Sequence, residues 1–231
     1  MYLPGLEVRS STDGLNWSAP QRIALAEPAE FLRNPAVIRL EDGSWVMIYE
    51  GVRDERGPNR RTAFYRATSK DGLRFEKTPG SGANGAVMEP LAADGGFMSA
   101  PDIISVPGAG LRLYFNTADG ARVEVARSSD AGLSWAREGA ITIDGFERGR
   151  KAADPDIVAL PGGAGYRVFF AAGAIGAPKP RIFSASSKDG LQFTLDPGER
   201  LMPPDVTLER EDPELVEIAP GVYRMYFAEG A

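Results

Sequence analysis

This chain of 231 residues contains no histidine and no cysteine. Without them it cannot assemble a Ser-His-Asp or Cys-His nucleophile, and zinc sites built on imidazole or thiolate ligands are excluded. Catalysis, if the chain has any, must therefore rest on carboxylates, with Arg, Lys, Tyr or a hard metal ion in support.

Long basic or apolar runs are missing as well. Lys and Arg number 26 against 32 Asp and Glu, which gives a formal net charge of −6, and no basic block could track a phosphate backbone. No apolar run is long enough to span a bilayer, and the start MYLPGLEVRS lacks the basic and apolar regions of a signal peptide. We therefore expect a soluble chain, monomeric rather than oligomeric, with neither nucleic acid nor membrane as a partner; its location in the cell stays open.

Glycine and proline are abundant instead, at 27 and 18 residues, which fits many tight turns between short strands. One turn motif, D-G-L-x-[W/F] in its regular form, occurs four times, as SSTDGLNW, TSKDGLRF, SSDAGLSW and SSKDGLQF. Its leucines are Leu15, Leu73, Leu133 and Leu191, at intervals of 58, 60 and 58 residues. A fixed period of this size indicates a repeat architecture.

Each repeat has the pattern of a four-stranded antiparallel meander. In the third repeat, Asp154-Pro155-Asp156 leads into an apolar strand, a Gly-rich turn precedes the aromatic strand 166–170, and 181–185 forms a strand before the turn motif. The Asp-Gly pair is a strong hairpin signal, so Phe193 should begin a fourth strand. A proline is expected at the first residue of each unit's first strand, where no ladder donor is required.

The sequence therefore predicts one all-β domain, a β-propeller of four blades with four antiparallel strands each. The first three blades take approximately residues 30–78, 97–140 and 152–197. Residues 210–231 and 1–25 supply two strands each, so the N- and C-terminal strands would share the fourth blade and close the ring without a large open edge. The alternative is a fragment of a larger propeller, one with five blades.

The D-G-L-x-W turn, the Asn-Pro and Asp-Pro strand openings and aromatic second strands such as SWVMIYEG resemble those of the five-bladed β-propeller glycosidases of the arabinanase, levansucrase and invertase type, and of related mannoside phosphorylases. The third turn copy also matches the sialidase-type Asp-box, a folding device remote from the active site. In such propellers the innermost strands open onto a central pocket. The resemblance thus implies a carbohydrate ligand and a rim formed by Arg33, Asn34, Asp102, Asp154, Asp156, Glu211, Asp212 and Glu214.

Catalytic roles of that family can be carried onto matching positions. Glu211-Asp212-Pro213 matches the E-x-P motif of the general acid, and Asp154-Pro155 matches the Asp-Pro whose carboxylate tunes and orients the acid. Asn34 stands where the family places its general base, and an amide cannot usefully accept a proton. Either Asp102 or Asp156 would then act as the base, or the chain binds sugar without cleaving it.

The last residues of the second strands should also reach the rim. This adds Glu50, Asn116 and Glu229 to the predicted ligand-binding residues, with Arg53 just beyond. Arg33 and Arg53 would either bind a carboxylated or phosphorylated sugar or neutralise the ring of carboxylates.

Two functions stay open. One is a glycoside hydrolase-like propeller that acts on a small sugar or oligosaccharide end by carboxylate acid/base chemistry, since crowded carboxylates can raise at least one pKa. The other is a non-catalytic glycan-binding or scaffold propeller with water or an ion in its acidic channel. No cofactor and no metal site are expected, apart from the option of Ca²⁺ in that channel.

Overall fold

The computed structural model describes residues 6–11, 16–23, 25, 31–53, 61–117, 122–146, 150–173, 179–201, 208–219 and 222–230. Besides β-strands, these residues form one-turn 3-10 helices at Ala83–Gly85, Ala92–Asp94 and Pro161–Gly163. The strands are β1 (Leu6–Val8), β2 (Gln21–Ile23), β3 (Phe31–Arg39), β4 (Trp45–Arg53), β5 (Arg61–Ser69), β6 (Glu76–Lys77), β7 (Met98–Val106), β8 (Gly110–Thr117), β9 (Arg122–Ser128), β10 (Ala136–Ala140), β11 (Thr142–Asp144), β12 (Ala153–Leu160), β13 (Gly165–Gly173), β14 (Pro180–Ser187), β15 (Gln192–Leu195), β16 (Glu209–Ala219) and β17 (Val222–Gly230).

The strands form three meander sheets and two hairpins. The first sheet has the order β3-β4-β5-β6 and the second has β7-β8-β9-β10, all antiparallel. The third sheet runs β12-β13-β14-β15 and adds β11, which is parallel to β15. The predicted meander of four antiparallel strands is confirmed, and the third sheet adds β11 as a fifth, parallel strand that the sequence did not predict. The N-terminal hairpin is β1-β2 and the C-terminal hairpin is β16-β17.

The repeated turn is held by side-chain oxygens that accept backbone N–H groups. In the second copy, Ser69 Oγ accepts from Gly72 at 2.9 Å, and Asp71 Oδ1 accepts from Leu73 and Arg74, both at 2.9 Å. The same pattern recurs with Ser128 and Asp130, and with Ser187 and Asp189. The centre of the first copy, 12–15, lies outside the described residues. These bonds support a structural role for the motif.

Each inner strand, β3, β7, β12 or β16, contains a bulge at its proline. The ladder of β3 shifts register between Arg33 and Ala36, and the other three shift at the equivalent place. Pro35 is therefore the fifth residue of β3, and Pro155 is the third of β12. The prediction that each proline opens its strand is wrong, because the bulge removes the need for a ladder donor inside the strand.

Apolar clusters join the elements in chain order. Leu6 of the N-terminal hairpin packs in one cluster with Tyr49 of the first sheet. Phe64 of the first sheet meets Phe115 of the second edge-on, with ring centroids 5.4 Å apart. A third cluster lies between the second and third sheets and includes Phe170. Each fully buried side chain of this size contributes about 1.5–3 kcal/mol, so these interfaces fix how the sheets stand around the inner strands.

The inner strands lie side by side in the order β3, β7, β12, β16. Within the described residues each terminal hairpin pairs only with itself, and no ladder joins β17 to β1. Closure through a shared blade, and with it the count of four blades, therefore stays a prediction. No helix in the described part of the chain is long and apolar enough to cross a membrane.

Candidate functional site at the inner-strand openings

The residue before each inner-strand proline has a left-handed backbone. Its φ is 48° at Asn34, 47° at Ala100, 52° at Asp154 and 51° at Asp212. Residues before proline normally take extended conformations, and the left-handed region costs a non-glycine residue roughly 1–2 kcal/mol. Because Ala100 shares it without any polar side chain, the bulge imposes this conformation. The four side chains are therefore presented from equivalent positions on neighbouring strands.

Glu50 organises the opening of the first sheet. Its Oε1 accepts from Arg33 Nε and Nη2 at 3.1 and 3.0 Å, and its Oε2 accepts from Asn34 Nδ2 at 2.9 Å and Ser99 Oγ at 2.8 Å. Glu50 is fully buried. The carboxylate is thus occupied by protein donors, and Arg33 neutralises it, which is the second of the two roles expected for that arginine. Ser99 was not among the predicted site residues, because only this contact marks it.

In the second sheet, Asn116 occupies the position that Glu50 has in the first. It lies opposite Ser99 in the ladder, as Glu50 lies opposite Arg33. Its buried amide donates from Nδ2 to the carbonyl of Ala152 at 2.8 Å and accepts at Oδ1 from the N–H of Asp154 at 2.8 Å. Asn116 therefore positions the opening of the third sheet, and its own amide is engaged with backbone.

Asp154, Glu211 and Asp212 form a first acidic group, at the openings of β12 and β16. Burial raises the pKa of Asp154 to about 7, and the charges of Asp212 and Glu211 and a hydrogen bond with Asp212 add to the rise. Burial also raises the pKa of Glu211, helped by Glu209 and Asp212 and opposed by Lys179. This group can hold a proton near neutral pH, as a general acid must.

Asp102, Asp156 and Glu214 form a second acidic group; each directly follows an inner-strand proline. Asp102 Oδ2 accepts from the N–H of Ile157 at 2.7 Å, and Asp156 Oδ2 accepts from the N–H of Leu215 at 3.1 Å. Each aspartate therefore ties its own inner strand to the next one. Asp102 and Asp156, the two residues that the sequence offered as the general base, thus also connect neighbouring inner strands.

Two members of the second acidic group, Asp102 and Asp156, are also poorly solvated. Burial and the charge of Glu214 raise the pKa of Asp102 to about 7. Burial, with Asp102 and Glu214, raises the pKa of Asp156 to about 9, and burial raises that of Glu214. Ala36 holds the equivalent place in β3, so the first sheet adds no carboxylate here. Among the described residues no group of three or more acidic side chains is arranged to hold a metal ion.

The two remaining predicted rim residues are engaged elsewhere. Glu229 Oε2 accepts from Arg210 Nε at 2.9 Å within the C-terminal hairpin. Arg53, at the end of β4, lines a separate pocket together with Arg61 and Asn84. The structure thus brings seven predicted acids to the strand openings, six of them in the two acidic groups and Glu50 apart from them, and leaves Glu229 and Arg53 elsewhere.

This chain is similar to known proteins in its three-dimensional structure. No protein-family model matches the sequence, and no curated protein matches it either. Solved structures do match. An N-acetylgalactosamine deacetylase from F. plautii, in complex with blood group B trisaccharide, has a TM-score of 0.72 at 16% identity and covers 95% of this chain and 70% of its own. A thermostable family-43 glycoside hydrolase has a TM-score of 0.69 at 14% identity, with 95% and 73% covered.

A third match is an α-L-arabinanase from Penicillium chrysogenum complexed with arabinobiose, with a TM-score of 0.58 at 16% identity over 87% of this chain and 58% of its own. The fold is that of the β-propeller glycosidases. The expected resemblance is confirmed for the fold, which is all that identities this low establish. The chain spans about half to two thirds of the length of several other matching structures.

Proposed function

We propose that this propeller binds a small sugar or an oligosaccharide end at the inner-strand openings and cleaves its glycosidic bond by carboxylate acid/base chemistry. The observation that carries the proposal is the first acidic group, in which the pKa of Asp154 rises to about 7 beside Glu211 and Asp212. A carboxylic acid that keeps its proton near neutral pH can protonate a leaving glycosidic oxygen.

Each acid then has a role. Glu211 donates the proton, and Asp154, whose pKa is raised in part by the charge of Glu211, orients that acid and tunes it. Asn34 donates to Glu50 and cannot serve as the base. Of the two aspartates predicted to replace it, Asp156 has a pKa of about 9 and stays protonated at neutral pH, whereas Asp102, at about 7, is ionised part of the time. Asp102 is therefore the better candidate for activating water.

The saccharide class is supported by the neighbours. The deacetylase and the arabinanase carry a trisaccharide and arabinobiose in their solved complexes. In this chain the donors of Arg33, Asn34 and Ser99 at the openings of β3 and β7 bond Glu50, whereas the openings of β12 and β16 present carboxylates. Sugar hydroxyls donate hydrogen bonds, so they suit these carboxylates.

One observation favours the second candidate function, a non-catalytic glycan-binding propeller. In the first sheet, Asn34 stands where the resemblance places the general base. Among the described residues, the carboxylate that bonds Asn34 is that of Glu50, which is buried and enclosed by Arg33, Asn34 and Ser99. Sugar binding needs no ionised base, so this arrangement would suit a lectin-like module.

A screen of aryl-glycosides separates the two functions. We expect turnover of at least one substrate by the unaltered chain, and a loss of about 10²–10⁴-fold in kcat for Glu211→Gln and Asp154→Asn, since each removes part of the acid machinery. Sugar affinity, measured by calorimetry, should change little. Glu76→Gln, on the exposed face of β6, is the matched control and should keep full activity. Absence of turnover on every glycoside, with the same sugar affinity in all variants, would establish the binding module instead.

A further inference from the structure

A separate pocket lies at the end of the first sheet, apart from the two acidic groups. The pocket there has a volume of about 110 Å³. Arg53 at the end of β4 and Arg61 at the start of β5 supply its positive charges, and Asn84, Glu89 and the ring of Tyr65 complete its walls. Gly51, which directly follows the buried Glu50, also lines it, so the pocket adjoins the opening of the first sheet.

The two arginines are placed at an electrostatic cost. Arg53 and Arg61 are direct partners in the β4-β5 ladder, and like charges at paired positions destabilise a sheet. Among the described residues no carboxylate lies within salt-bridge distance of either guanidinium, whereas most buried arginines are ion-paired, as Arg112 is with Glu138 at 2.7 Å. Arg53 Nε is also buried without a hydrogen-bond partner. An anion in the pocket would relieve the repulsion between the two guanidinium groups.

The one-turn helix Ala83–Gly85 holds Arg53 in place through Asn84. Asn84, in a left-handed conformation with φ 57°, faces the guanidinium. With its amide turned so that the oxygen meets the arginine, Asn84 accepts from Nη1 and Nη2 of Arg53 at 2.9 and 2.5 Å. The nearby Glu89 is directed to its own loop, where Oε2 accepts from the N–H of Ala83 at 3.2 Å. The pocket thus has a fixed cation and an acid that is already engaged.

From these contacts we propose that the Arg53–Arg61 pocket is a subsite for an oxyanion substituent, a carboxylate, sulfate or phosphate carried by the saccharide. Its size supports a substituent, because sites for whole drug-sized ligands measure roughly 300–1,000 Å³. A planar guanidinium binds such oxygens bidentately, and Arg61 adds a second charge from the facing strand. The anion site itself follows from the pocket alone; that the anion belongs to a sugar rests on the proposed function.

The test measures anion binding by calorimetry with the full chain at low ionic strength. Inorganic sulfate, D-glucuronate and glucose 6-phosphate are the probes, and D-glucose is the neutral comparison. We expect the unaltered chain to bind at least one anion more tightly than glucose, and Arg53→Gln and Arg61→Gln each to weaken that binding at least tenfold. Arg74→Gln is the matched control, since its exposed guanidinium lies near the opposite end of β5, roughly 25 Å away at strand spacing. The anion bound most tightly identifies the substituent.

Two results would overturn the subsite: no anion binding by the unaltered chain, or binding that Arg61→Gln and Arg53→Gln leave unchanged relative to Arg74→Gln. Arg61 is exposed, so its variant should fold even if Arg53→Gln does not, and circular dichroism checks both. Loss of anion binding in these variants, together with no turnover of any aryl-glycoside, would retain the subsite and reject the hydrolase.

Discussion

Aspartate has two opposite environments in this chain. In the turn motif, Asp71 accepts backbone N–H groups from Arg74 and Leu73, which lower its pKa to about 2. At the inner-strand openings, burial and neighbouring carboxylates raise the pKa of Asp156 to about 9. The hydrogen bonds in the turn favour the ionised carboxylate and stabilise the fold. Burial at the openings favours the protonated carboxylic acid, which acid/base chemistry requires.

The two kinds predict opposite pH dependence of stability. Between about pH 4 and pH 9 folded Asp156 keeps a proton that the unfolded chain has released, so its contribution to the free energy of unfolding falls as pH rises. Asp156→Asn removes this penalty and can still accept from Leu215. Its urea midpoint should therefore exceed that of the unaltered chain at pH 8, and the gap should close toward pH 4.

Asp71→Asn provides the contrast. Ionised Asp71 stabilises the fold above about pH 4, and this contribution disappears as pH falls toward 2. The variant should be less stable than the unaltered chain at pH 7 and approach it on acidification. Equal pH profiles for the two variants would show that the acids at the openings are solvated like those in the turns.

Sequence identified the acids at the openings because a proline recurs at the same place in each repeat, with acidic residues next to it in three of the four. It could not assign their partners. Glu50 lies on a second strand with nothing to distinguish a rim acid from one enclosed by Arg33 and Ser99, 17 and 49 residues away. The pairing with Arg33 depends on the register of the β3-β4 ladder and the pairing with Ser99 on how two sheets face each other, and no local pattern encodes either.

The turns are also the elements that connect neighbouring sheets. Tyr114 of β8 donates its hydroxyl to the carbonyl of Gly190 at 2.9 Å, and Arg112 Nη1 donates to the carbonyl of Asp189 at 2.6 Å, both in the turn of the third sheet. One interface earlier, Arg66 of β5 donates to the carbonyl of Ala131 at 2.8 Å. The motif thus closes its own hairpin and offers carbonyls to the preceding sheet.

Removing one such contact should loosen the interface. Tyr114→Phe keeps the ring but leaves the buried carbonyl of Gly190 without that donor, which typically costs about 1–3 kcal/mol. Tyr166→Phe is the matched control, because no hydrogen bond of its hydroxyl is seen among the described residues, and its effect should stay within about 0.5 kcal/mol. Guanidinium unfolding curves measure both. Equal effects would mean that the turn contact adds nothing to stability.

At the scale of elements, the pattern of strand, turn and strand was predictable, since Gly and Asp set the turns and aromatic residues fill the strands. β11 was not, because Thr142–Asp144 is three residues long and pairs in parallel with a strand 50 residues later. The bulges were missed for a related reason. A proline marks a break in the ladder, but only the facing strand shows that pairing resumes beyond it.

For the whole molecule the open question is the ring. The N-terminal hairpin packs on the first sheet through Leu6, and β16 lies against β12 of the third sheet. On β17, Tyr226 and Phe227 are each more than a third exposed. A shared blade would pair β17 with β1, cover part of this apolar surface and remove two sheet edges at once.

Hydrogen exchange can test that closure. If β1 pairs with β17, the amides of Val222–Gly230 that point away from β16 should be protected, and Leu6→Ala should speed their exchange by loosening the N-terminal hairpin. Cavity formation at Leu6 should cost about 2–5 kcal/mol. Ile182→Ala, an equally buried core change in the third sheet, is the control and should not single out β17. Unprotected amides on the outer edge of β17, in a chain whose inner-strand amides are protected, would mean that the ring is open between the two hairpins.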